Sequence, residues 1–97
     1  DVAAGALYDV ALWIYLQGAA GRANEAMGEL LLGFLRQRFP DLRPLRLLDM
    51  GCGIGNSTLP WALAFPAAEV HGIDVAAPLL RYGHARAESL GARVHFS

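Results

Sequence analysis

The stretch Leu47–Asn56, reading LLDMGCGIGN, decides the fold, because an apolar run ends abruptly in glycines at positions 51, 53 and 55. Leu45–Met50 reads as a short apolar strand. Alternating glycines directly after a strand let the backbone take positive φ and remove side chains that would hold a ligand away. A helix is expected over Thr58–Phe65, with Ser57 as its cap. Pro60 is tolerable in the first turn, where amides lack helical partners. Unpaired amides at such a helix start suit a carboxylate- or phosphate-bearing ligand lying along the backbone.

Downstream, Pro66 ends that helix, and Glu69–Asp74 (EVHGID) reads as a second strand. Pro78–Leu90 reads as a second helix, with Leu79, Leu80, Gly83, Ala87 and Leu90 on its inner face and Gly91 as a left-handed C-cap. Ala92–Phe96 begins a third strand. Strands that alternate with helices imply a parallel sheet, with ligands beyond the carboxyl ends of the strands. The glycine turn and Asp74 both fall at such ends. Asp74 follows Gly55 by 19 residues, the position from which a carboxylate accepts hydrogen bonds from both ribose hydroxyls.

Upstream the pattern is helical. Ala6–Gln17 reads as a helix ended by Gly18 and Gly21, although Tyr8, Trp13 and Tyr15 share no single stripe. A further helix is capped by Asn24 and stopped by Pro40. Its Met27, Leu30, Leu31, Phe34 and Leu35 follow the spacing of a buried face. The expected organisation is an N-terminal helical segment over 1–42 and, over 43–97, the first half of a Rossmann-like α/β domain. Its parallel sheet would have the order 3-2-1.

The 97 residues are 55% hydrophobic and 18% charged, which describes one soluble globular unit or part of one. A net charge of −1 argues against nucleic acid as a partner, since a phosphate-tracking surface needs a basic excess. The basic residues are all arginine, as expected of a GC-rich bacterial coding sequence. Cys52 is the only cysteine, so no intrachain disulfide forms and no zinc-ligand spacing exists, which fits a reducing, cytoplasmic setting. The apolar run Val10–Leu16 is too short to span a membrane and lacks the basic flank of a signal peptide. The start at Asp1 points to a processed or excised segment.

A dinucleotide site wants G-x-G-x-x-G, and Asn56 stands where the third glycine belongs. The pattern present is D-x-G-x-G-x-G, opening on Asp49. It resembles motif I of the class I S-adenosylmethionine-dependent methyltransferases. The resemblance runs on through HGIDVAAPLLRYGHARA and ARVHF, and covers roughly residues 24–97. It implies S-adenosyl-L-methionine as cofactor and a small-molecule methyl acceptor, with no metal. It places the backbone of Gly51, Gly53 and Gly55 against the methionine part and Cys52 between the motif glycines. Asp49 would help to hold the amino group, Asp74 the ribose hydroxyls, and Val75 the adenine face.

The family's adenine-amino contact follows the third strand, so the chain is expected to be a cofactor-side fragment, inactive alone, with no catalytic residue assigned. The first strand would stand as an apolar edge that invites pairing with another copy. Alternative readings are a non-catalytic methyltransferase-like module and an NAD-linked oxidoreductase. Cys52 has no base partner and reads as a packing residue. His71, His84 and His95 are dispersed without metal-ligand spacing and read as structural or solvent-facing. Tyr8 and Tyr15 are candidates to close over the cofactor, with core packing favoured.

Overall fold

The computed structural model describes residues 2–15 and 25–97, apart from the side chains of Trp13 and Tyr15. In chain order the elements are α1 (Ala3–Tyr15), α2 (Ala26–Arg38), β1 (Arg46–Met50), α3 (Thr58–Ala64), β2 (Glu69–Ile73), α4 (Ala77–Leu90) and β3 (His95–Phe96). The strands form a parallel sheet in the order β1-β2-β3, with Leu47 paired to Val70 and His71 to His95. Alternation along the strands sorts the two faces. Val70, Ala62 and Ala68 form a core cluster, with Leu47, Phe65, Ala92 and Val94 packed around it. The other face carries Arg46, Leu48, Met50, Glu69, His71 and His95, and leaves Leu48 and Met50 exposed.

Phe96 ties this half-sheet to the helices. A Cβ added at Gly55, Gly72 or Gly83 would come within 3.1–3.2 Å of its ring. The turn, β2 and α4 thus each use a glycine to form the slot that receives it. Gly91 caps α4 in the left-handed region at φ 69°, as expected. Leu79 and Leu80 are half-buried and Gly83 and Ala87 buried, but Leu90 is exposed, correcting the inner face by one residue.

The larger correction concerns α2. Its buried residues are Gly28 and Leu32, while Met27, Leu30, Leu31 and Phe34 are all exposed. The helix docks by backbone approach: a Cβ on Gly28 would stand 2.8 Å from Ser57 Cα, and Trp61 Nε1 donates to the Gly28 carbonyl at 3.3 Å. The apolar spacing marked a stripe, but only a glycine lets α2 come this close to the turn. Asn24, Gly18, Gly21 and the side chain of Tyr15 lie outside the described residues. Tyr8 is exposed, and α1 docks on α4 through Gly5, which lies against Tyr82. The Tyr82 hydroxyl donates to Asp9 Oδ2 at 2.9 Å. The first helix starts three residues earlier than read, at Ala3, and the third strand shrinks to His95–Phe96.

Candidate functional site

The turn after β1 is held from beneath by β2. The amides of Gly51 and Cys52 both donate to the Ile73 carbonyl, at 2.8 and 3.0 Å. Within the turn, the Gly55 amide donates to the Cys52 carbonyl at 2.9 Å. Gly51, Gly53 and Gly55 have φ of 73°, 55° and 84°, where a side chain is strained. Their surroundings differ. Among the described residues, a Cβ on Gly51 or Gly53 meets nothing within 4 Å, whereas one on Gly55 meets Phe96 and Leu59. Gly51 and Gly53 therefore keep the outer side of the turn open, while Gly55 packs inward.

Asp74 bridges the strand ends. Its Oδ2 accepts from the Gly53 amide and its Oδ1 from the Ala76 amide, both at 2.9 Å. The amides of Ala76 and Gly53 hold its carboxyl below the ordinary aspartate value. A carboxylate has about four acceptor positions, so each oxygen keeps capacity for a further donor. Met50, Gly51, Ile73, Asp74 and the fully exposed Val75 line one open depression. Asp49 is turned to a separate cavity with Leu31, Thr58 and Trp61.

Ser57 does not cap α3: it is itself in helical conformation and makes no side-chain cap bond. Thr58, 2% exposed, donates instead from Oγ1 to Asp49 Oδ2 at 2.6 Å. With α3 only seven residues long, a helix end offers the site less than the turn backbone does. Cys52 is buried, and its sulfur lies where a Cβ on Gly72 would come within 2.9 Å. Burial, then the charges of Asp49 and Asp74, push its thiol up to about 11. Alkylation of the native protein near pH 8 is expected to run at least ~100-fold slower than for a free cysteine, which timed iodoacetamide labelling checks.

Arg86 on α4 was not singled out in the sequence, yet its Nη1 donates to the Ile54 carbonyl at 3.1 Å and to Asn56 Oδ1 at 2.6 Å. It grips the second half of the turn. Arg86→Ala is expected to destabilise the fold by about 1–3 kcal/mol. It should also speed amide exchange at residues 54–56 more than elsewhere, as hydrogen-exchange mass spectrometry would show. Nothing local in the sequence marks Arg86, because the contact joins residues 30 apart.

A family model described as a methyltransferase domain matches residues 47–97. Trans-aconitate 2-methyltransferase of Methylobacterium radiotolerans is 44% identical over 52 residues, which are 54% of this chain and 20% of that protein. The chain thus spans about a fifth of the length of that relative. Magnesium protoporphyrin IX methyltransferase from Synechocystis PCC 6803, solved with bound SAH, superposes on 97% of this chain and 48% of its own with a TM-score of 0.65. At 16% identity that likeness shows a shared fold. The cyclase SpnF superposes on 97% of this chain and 40% of its own, with a TM-score of 0.63 and 26% identity.

Proposed function

The chain belongs to the methyltransferase-domain family of the class I S-adenosylmethionine-dependent kind, and from that premise we propose that it forms the cofactor side of a methyltransferase acting on a small molecule. The observation that carries this is the bond from the Gly53 amide to Asp74. It joins the glycine turn and the ribose-type carboxylate into one site.

The residues present fit S-adenosyl-L-methionine. Gly51 and Gly53 leave a cradle that any Cβ would begin to fill. Asp74 offers acceptors to vicinal hydroxyls, and the exposed Val75 offers an apolar surface to a flat ring. Gly55 and Cys52 shape the turn from within, and Asp49, fastened by Thr58, lies on its other flank. The bound cofactor supplies a methyl group on a sulfonium. The chain's own part is orientation: turn and carboxylate fix one end of the ligand so that the reactive end is presented in one direction. Residues 43–97 would form this cofactor-binding half, with α1 docked on α4 and α2 on α3.

The trans-aconitate relative and the near-neutral charge support a small-molecule acceptor over nucleic acid. The exposed Leu48 and Met50 of β1, with the exposed Leu45 just before it, support pairing of this edge with a second copy. Calorimetric titration should show saturable binding of S-adenosylhomocysteine and none of NADH. Binding of NADH alone would overturn the reading. The likeness to SpnF supports a second reading, in which this fold hosts chemistry other than methyl transfer. The joined glycine turn and Asp74 favour cofactor binding under either reading, and an assay of acceptor methylation separates them.

A further inference from the structure

The sheet face opposite the core brings Glu69 and His71 of β2 together with His95 of β3. Glu69 and His71 alternate onto one face of β2, and His95 is His71's direct partner on β3. One donor atom from each of the three lies within 4.8 Å of the others. The two imidazoles stack with centroids 4.9 Å apart and planes 27° from parallel. Glu69 Oε1 lies 2.8 Å from His71 Nε2. We propose that Glu69, His71 and His95 form a binding site for a divalent transition metal of the zinc class, separate from the cofactor site.

The donor chemistry fits. Two imidazoles and a carboxylate suit zinc, which takes three protein ligands and a water in tetrahedral geometry. Bonds of about 2.0–2.2 Å put the donors roughly 3.5 Å from one another, so the wider separations must close and the 2.8 Å pair of Glu69 and His71 must open. The strands fix the backbone positions, and the side chains are exposed enough to rotate that far: those of His71 and Glu69 are 41% and 52% exposed. The same exposure gives the ion an entry path and leaves room for the water. Arg46 sits 3.8 Å from the other oxygen, Glu69 Oε2, leaving Oε1 to the histidines. A bound ion would clamp the two-residue β3 to β2. It would do so next to the bond from the Asp74 amide to the Ser97 carbonyl.

The rival surface site is the i, i+4 pair His84 and Glu88 on α4, 3.3 Å apart. Calorimetric titration of the untagged full chain with zinc chloride near pH 7.5, paired with thermal melts, distinguishes them. One equivalent is expected to bind and to raise the melting temperature. His95→Ala and Glu69→Gln should each weaken binding by about ten-fold or more. His84→Ala should leave it unchanged. The proposal fails if zinc shows no saturable binding up to about 1 mM, if His84→Ala removes the binding, or if His95→Ala leaves it intact. Should His95→Ala lose its folded circular-dichroism spectrum, His95→Gln takes its place under the same criteria. Should that variant also lose it, Glu69→Gln, on another strand, decides alone.

Discussion

Replacing Asp74 with alanine is expected to weaken S-adenosylhomocysteine binding by about a hundred-fold in a calorimetric titration. Hydrogen bonds to a charged group contribute about 1.5–3 kcal/mol each. Loss of two ribose contacts, at the low end because the carboxylate is only partly buried, removes about 3 kcal/mol, or two factors of ten. The variant also frees the Gly53 and Ala76 amides that Asp74 now accepts from. Asp74→Asn should fall between the two, since one carboxylate acceptor becomes a donor facing a backbone N–H. Unchanged affinity in Asp74→Ala would remove the basis of the proposed ribose contact. The pH dependence follows from the same bonds. The folded-state pKa is depressed below 3.8, so the stabilisation is fully present above that value and is lost as pH falls through the depressed one. Asp74 should therefore add no slope to binding or stability between about pH 5 and 8, and chemical denaturation across that range tests it.

The second large effect separates folding from binding within one turn. Gly55→Ala places a Cβ in the left-handed region at φ 84° and 3.2 Å from the Phe96 ring. Strain of about 1–2 kcal/mol adds to crowding of about 1–3 kcal/mol. For a chain this size, a total of about 2–5 kcal/mol lowers the melting temperature by roughly 10–25 °C. Gly53→Ala carries the strain but not the crowding, because its Cβ points into open space. Its melting temperature should fall by only about 5–10 °C, yet its Cβ occupies the cradle, and ligand affinity should drop sharply. Equal melting temperatures for the two variants would show that Gly55 has no packing role.

Strand, turn and helix from Leu45 to Phe65 were legible within a residue or two, as was the C-cap at Gly91. Their signals are local: a short apolar run, glycines where φ turns positive, and a left-handed helix end. The nearness of the glycine turn and Asp74 was also legible, because parallel β-α-β topology sets successive strand ends side by side. The packing of α2 was not. Its apolar stripe of Met27, Leu30 and Phe34 stands exposed while Gly28 makes the contact, since docking was decided by how closely the backbone could approach Ser57.

Three other features depend on partners distant in the chain. The hydroxyl at the start of α3 that makes a bond is that of Thr58, which fastens Asp49 across the turn rather than capping the helix. Arg86 reaches the turn only because α4 lies over it. His71 and His95, far apart in the chain, become neighbours through the register of β2 on β3. The order of elements and the glycine turn were thus determined by the sequence itself, through torsional preference and apolar periodicity, which act between near neighbours. Which face of α2 is buried, what fastens Asp49, what grips the turn and which donors meet on the open face of the sheet were decided by tertiary structure. Those contacts exist only after strand register and helix docking have brought distant residues within a few ångströms.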